Sequence, residues 1–175
     1  KETSQEYYGE IFSVIRTVKK PDSPLIVIGP GFAREHLMKT GKEKESALFE
    51  NSLTHATANA GMNGVHEALK VGIVEQITKE NRVSKETQAI EKVFEEIKKD
   101  GRVTYGFNEV DDALSRGAAE KLLISDVLVR SKNGEHLLDK ARKTQCDFMI
   151  INTLHEAGRK FEGIGGVAAL LRFKY

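Results

Sequence analysis

The sequence predicts an α/β protein of two small α-β-α sandwich domains, the first of them incomplete in its sheet. Three observations carry this. Leu25 to Ile28 is a short uninterrupted apolar run, the form of a strand buried on both faces; Lys121 to Ser125 (KLLIS) reads as a buried strand and Phe148 to Ile151 (FMII) as a further one. Between them lie stretches whose apolar residues recur at three- and four-residue spacing, the period of an amphipathic helix. Near Arg82–Ser84 the pattern changes from irregular to clean alternation, so residues 1–82 and 83–175 read as separate domains.

The elements follow in order. Gln5 to Val18 is predicted helical through Tyr8, Ile11, Phe12, Ile15 and Val18, and Pro21 and Pro24 end it because proline cannot continue the ladder. After the Leu25 strand, Gly29-Pro30-Gly31 turns the chain and Phe32 to Lys39 resumes a helical pattern, followed by the polar stretch KTGKEKES. Leu53 to Ala58 alternates weakly, as a second strand would. Gly64 to Val71 is helical with a stop at Gly72, and Ile73 to Ile77 adds a short helix. Ser84 is placed as an N-cap for a further helix carrying Ile90, Val93, Phe94 and Ile97, which ends at Asp100-Gly101. Then come a brief strand at Val103 to Tyr105, a helix through Val110, Ala113 and Leu114, the Lys121 strand, a helix through Leu137, Leu138 and Ala141, and the Phe148 strand. Thr153-Leu154-His155-Glu156 matches a capping box, and Val167 to Phe173 closes the chain as a strand. The second piece is complete. The first has one clear strand and one weak one, which implies sheet partners N-terminal to Lys1 and a fragment of a longer protein.

Composition narrows the classes. With 27 basic and 26 acidic residues the net charge is +1, and both halves are balanced, so a broad phosphate-tracking surface is not expected. Cys146 is the single cysteine, which excludes a disulfide scaffold and suits a reducing compartment. The longest apolar run, Val167 to Leu171, is too short to span a bilayer, and KETSQEYYGE lacks a signal layout. A cytoplasmic protein with no membrane association is expected.

No catalytic constellation emerges. Gly29-Pro30-Gly31 sits between strand and helix, where phosphate loops sit, but lacks both the dinucleotide fingerprint and the Gly-Lys-Ser/Thr of a P-loop. His36, His55, His66, His136 and His155 show no zinc-ligand spacing, so no metal is expected, and His36 reads as packed or half-buried. Cys146 has no sequence-near base, and Asp111-Asp112 suits a helix dipole. Glu156 is assigned to capping, with Arg159 one turn on. Gly165-Gly166 reads as a tight turn feeding the last strand.

Four stretches together resemble the Pelota family, the ribosome-rescue relatives of archaeal and eukaryotic class 1 release factors. They are IVIGPGF (26–32), NGVHEALKVGIV (63–74), TYGFNEVDDALSRGAAEKLLISDVLVR (104–130) and HEAGRKFEGIGGVAALLRF (155–173). The ordered match covers nearly the whole chain, and the ending shortly after LLRF is closer to archaeal members. Release factors carry Gly-Gly-Gln just before the helix that begins this sequence and follow it with a strongly basic helix; here that helix is acidic and aromatic, which favours Pelota over a release factor.

The resemblance implies that residues 1–82 are a central domain truncated at its N-terminus. It implies that residues 83–175 are the C-terminal domain, with a fold like that of kink-turn-binding ribosomal proteins. It implies a tRNA-mimicking factor in translation quality control, acting in no-go decay and mRNA surveillance. The factor would enter the ribosomal A site, against ribosomal RNA, with an elongation factor 1 alpha-type GTPase, and would promote subunit dissociation with the ribosome-recycling ABC ATPase. The family's disputed endoribonuclease activity, with any divalent metal serving it, is attributed to an N-terminal domain outside this sequence. The fragment is therefore expected to be non-catalytic, cofactor-free and monomeric. The family's Pro-Gly-Phe, implicated in the GTPase contact, falls on Pro30, Gly31 and Phe32. Phe32 fits equally an exposed anchor or the first core residue of its helix. The alternatives are a small α/β enzyme using the Gly29–Gly31 loop as a phosphate cradle, and an autonomous RNA-binding module.

Overall fold

The computed structural model describes residues 4–175. The fold is α/β throughout, in two compact units, 1–81 and 82–175.

In the first unit, α1 (Ser4–Val18) leads into β1 (Leu25–Gly29), followed by α2 (Ala33–Lys44), α3 (Ser46–Phe49), β2 (Ser52–Ala56) and α4 (Gly61–Lys70). β1 and β2 form a two-stranded parallel sheet with Gly29 opposite Ala56. Parallel strands need a crossover, which α2 and α3 supply. The core gathers Phe12 of α1, Val27 of β1, Met38 of α2 and Phe49 of α3, with the Phe12 and Phe49 rings edge-on at 5.7 Å. The polar run KTGKEK is helical up to Lys44, where periodicity gave no signal. The cause is Gly41, which is buried under the Phe49 ring so closely that a Cβ there would lie 2.2 Å from it. Helix α4 buries the small residues Gly64 and Ala68.

Helix α5 runs without a break from Ile73 to Lys98, and the division between the units falls inside it. The helix start expected at Ser84 is corrected. Ser84 is an exposed mid-helix residue, not a cap. No glycine or proline interrupts 73–98, and one turn on from Arg82 its Nε faces the Glu86 carboxylate at 3.6 Å. The stop lies earlier, at Gly72 with φ +75°.

The second unit continues with β3 (Val103–Tyr105), α6 (Phe107–Ser115), β4 (Ala119–Ser125), α7 (Lys132–Lys143), β5 (Asp147–Ile151), α8 (Glu156–Gly163) and β6 (Val167–Leu171). The sheet order is β3-β6-β4-β5, with β4 and β5 parallel and β6 antiparallel to both β3 and β4. Crossover units alone would give an all-parallel sheet. The Gly165-Gly166 turn instead returns β6 between β3 and β4, and both glycines have positive φ, +108° and +69°. Alternation along the strands sorts the core into two layers. Leu122, Ile124, Val167 and Ala169 pack under α6 and α7 with Val110, Leu114, Leu137 and Cys146. Leu123 and Ala168 face the opposite way, onto Ile90 and Val93 of α5 and Phe161 of α8. This is the expected α-β-α sandwich.

The capping box is also corrected. Helix α8 starts at Glu156 and its N-cap is His155, whose Nδ1 accepts from the Gly158 N–H at 3.1 Å. Thr153 is committed elsewhere: its hydroxyl donates to Asp126 Oδ1 at 2.9 Å. Glu156 pairs with Lys160 at 3.1 Å rather than with Arg159.

Candidate partner-binding site

Strand β1 is an apolar run that ends at Gly29, and the next three residues make the turn into α2. Gly31 takes φ +66°, a left-handed conformation that costs a residue with a Cβ roughly 1–2 kcal/mol. That turn swings Phe32 outward as the N-cap residue of α2, and its side chain is 77% exposed. Of the two roles open to Phe32 from sequence, the structure removes that of core residue.

The turn is held from both sides. The Arg34 guanidinium donates to the Gly31 carbonyl and approaches the Gly29 carbonyl at 3.5 Å. Its other arm meets Glu35 Oε1 at 3.1 Å, and its side chain is largely buried. From β2, the Thr57 N–H donates to the Gly29 carbonyl at 3.2 Å. An exposed aromatic ring on a pinned backbone loses little freedom when a partner covers it, which is the property of an interface anchor. Arg34 was not singled out from sequence; the only signal was a long donor three residues beyond a Gly-containing turn.

The loop after β2 is held similarly. The Glu67 carboxylate accepts from the Ala58 N–H at 2.8 Å and the Asn59 N–H at 3.3 Å. These backbone bonds, chiefly that from Ala58, hold its pKa below the usual carboxylate range. The Thr57 hydroxyl donates to the Asn59 carbonyl at 2.7 Å.

The other polar candidates take structural places. His36, expected to be packed, is exposed on α2, and His66 is exposed on α4. His136 Nε2 lies 2.8 Å from Asp111 Oδ1, which also accepts from Lys140 Nζ at 2.6 Å. Lys140 is the main reason the Asp111 pKa is lowered, with burial opposing it. So Asp111 ties α6 to α7, while Asp112 pairs with Arg116 on its own helix at 2.8 Å. Cys146 is buried, and burial raises its pKa, which disfavours the reactive thiolate. Glu86 is buried and accepts from the Asn152 N–H at 2.5 Å, with His155 Nε2 at 3.7 Å from its other oxygen. Among the described residues no group of three or more His, Cys, Asp or Glu side chains is arranged to hold a metal ion. Among the same residues no helix is long and apolar enough to cross a membrane.

Comparison with known proteins adds the following. Residues 83–175 match the family described as eRF1 domain 3. The protein pelota homolog of Methanosarcina mazei is 37% identical over 174 residues, covering 97% of this chain and 50% of that protein. Among solved structures, archaeal Pelota described as ribosome-bound with ABCE1 is 35% identical with a TM-score of 0.74, over 99% of this chain and 51% of that one. Archaeoglobus fulgidus Pelota is 31% identical with a TM-score of 0.68, over 97% of this chain and 54% of that one. The chain thus spans about half the length of the curated relatives it matches.

Proposed function

Since the chain belongs to the eRF1 domain 3 family through residues 83–175, we propose that it acts within a ribosome-rescue factor of the Pelota kind. In this reading residues 1–82 are part of the central domain and 83–175 the C-terminal domain. The factor enters the A site of a stalled ribosome in company with an elongation factor 1 alpha-type GTPase and promotes subunit dissociation with the recycling ABC ATPase. The archaeal relative described as bound to the ribosome and ABCE1 supports the ribosomal setting. This part of the protein works by shape and interface in the cytoplasm, and its partners do the chemistry.

One observation carries the GTPase contact: Phe32, the last residue of the Pro-Gly-Phe, is 77% exposed on a turn braced by Arg34 and Thr57. The near-neutral net charge of +1 fits a factor delivered by a protein partner rather than drawn to RNA by its own field. The test is calorimetric binding of the chain to archaeal elongation factor 1 alpha loaded with a non-hydrolysable GTP analogue. Wild type binds, and Phe32→Ala weakens binding by about ten-fold or more while its melting temperature holds, as expected for an interface anchor. A well-folded wild type that fails to bind overturns the assignment.

A further inference from the structure

We infer that Met62 is a second anchor of the surface that Phe32 begins, so that the GTPase grips both strand-exit loops at one end of the two-stranded sheet. This rests on the assignment of Phe32 made above. Strands β1 and β2 run parallel with Gly29 opposite Ala56, so loops 30–32 and 57–60 leave the sheet side by side, their starts about 5 Å apart. The Thr57–Gly29 hydrogen bond ties them together.

The two loops repeat one layout. Each passes into its helix through a glycine with left-handed φ, Gly31 at +66° and Gly61 at +61°. Each glycine is followed at once by a large apolar side chain where the helix begins. Phe32 is 77% exposed and Met62 68% exposed, the two most exposed large apolar side chains between residues 25 and 70. Neither loop is free to fold its side chain back. Arg34 holds the first through the Gly31 carbonyl, and Glu67 and Thr57 hold the second through Ala58 and Asn59. Behind Met62, Gly64 sits so tightly against the Asn59 carbonyl that a Cβ there would lie 2.4 Å from it, so the start of α4 is locked to its loop.

The occupant is the GTPase because the Met62 loop is hydrogen-bonded to Gly29, the strand residue from which the turn assigned to the GTPase starts. The matching chemistry on the partner is an apolar recess for each side chain. Phenylalanine brings a rigid ring and methionine a flexible, polarizable thioether that adapts to an irregular recess.

The experiment extends the calorimetry with Met62→Ala, Met62→Glu, Met62→Leu and the Phe32→Ala/Met62→Ala double variant, each checked by circular dichroism melting and sedimentation. Met62→Ala is expected to weaken binding at least about five-fold, the level of a residue contributing to an interface. Met62→Glu is expected to weaken it more, Met62→Leu to retain it, and all are expected to melt with wild type. Loss of binding in Phe32→Ala but not in Met62→Ala or Met62→Glu overturns this inference and leaves the Phe32 assignment standing. A wild type that does not bind overturns the Phe32 assignment and this inference with it. Wild-type self-association abolished by Met62→Ala gives the face to a second copy and also overturns it.

Discussion

Substituting Gly64 tests the physical basis of the locked loop without touching an exposed anchor. Gly64 is buried in α4, and an added Cβ would lie 2.4 Å from the Asn59 carbonyl oxygen and 3.2 Å from the Thr57 hydroxyl. The nearer atom is backbone, held by its bond from the Thr57 hydroxyl at 2.7 Å, so it cannot rotate away. Overpacking of this kind costs about 1–3 kcal/mol. Displacing Asn59 also breaks its bond with Thr57, for about a further 1 kcal/mol. Replacing glycine by alanine within a helix returns about 1 kcal/mol. Gly64→Ala is therefore expected to destabilise the first unit by roughly 2 kcal/mol net. At about 4–8 °C per kcal/mol for a unit of this size, the transition should fall by roughly 10 °C. The matched control is Gly9→Ala in α1, where an added Cβ meets nothing within 4 Å, and which should be neutral or slightly stabilising. Differential scanning calorimetry of both variants decides the matter. Equal stability of the two would refute the reasoning, because helix propensity treats both positions alike and the close contacts with Asn59 and Thr57 exist only at buried Gly64.

Three further outcomes are expected. The Asp111 pKa is lowered in the folded state, mainly by Lys140, so its contribution to stability is complete above the ordinary aspartate value near ~4 and disappears as pH falls through the lower folded value. Asp111→Asn should accordingly flatten the acid limb of a urea-midpoint-versus-pH curve and leave its shape above about pH 5 unchanged. His155→Ala removes the acceptor for the Gly158 N–H and should cost about 1 kcal/mol in urea unfolding, with His155→Asn recovering most of it. Cys146 is buried with a raised pKa, so Ellman's reagent should label it slowly in the native chain and at once in guanidinium; rapid native labelling would contradict the packing of α7 over the sheet.

What the sequence made legible was mostly what is local. The strands at Leu25, Lys121 and Phe148 were readable because each is built round a short apolar run ended by a turn or a polar residue, but only the Lys121 strand is buried nearly throughout: β1 buries Val27 alone, and β5, at the sheet edge, leaves Phe148 exposed. The α6 and α7 stripes were readable because one face of each helix is covered and the other is not. Failures came where a side chain had a better partner than the local one. Thr153 and Glu156 have the spacing of a capping box, but Asp126, 27 residues away from Thr153, takes its hydroxyl, and the cap passes to His155. Ser84 looks like a helix start, but α5 already runs through it from Ile73 and only a glycine or proline would have stopped it. At the candidate site the Pro-Gly-Phe was visible and the exposure of Phe32 was not. Both readings of that ring fit the helical spacing, and the Gly31 dihedral, which decides between them, has no signature beyond the glycine itself. Met62 lay in a stretch read only from Gly64 onward, and it is the parallel pairing of β1 with β2 that sets the start of its loop next to the start of the Phe32 turn.

The second unit shows the same economy of construction at its own strand ends. Asp126, just after β4, accepts from both the backbone and the hydroxyl of Thr153, just after β5, at 3.3 and 2.9 Å. The neighbouring residues Val127 and Leu154 are 60% and 79% exposed. In each unit, then, a parallel strand pair ends in two loops joined by a hydrogen bond, and each loop carries an apolar side chain out to solvent. Polar side chains hold these loops: Arg34, Glu67 and Asp126 all bind backbone within a few residues of an exposed apolar side chain. The same kind of contact lowers the pKa of Glu67, through backbone N–H groups, and of Asp111, through Lys140. At these strand ends the polar side chains fix the backbone, and the fixed backbone in turn sets which apolar side chains stand out in solvent.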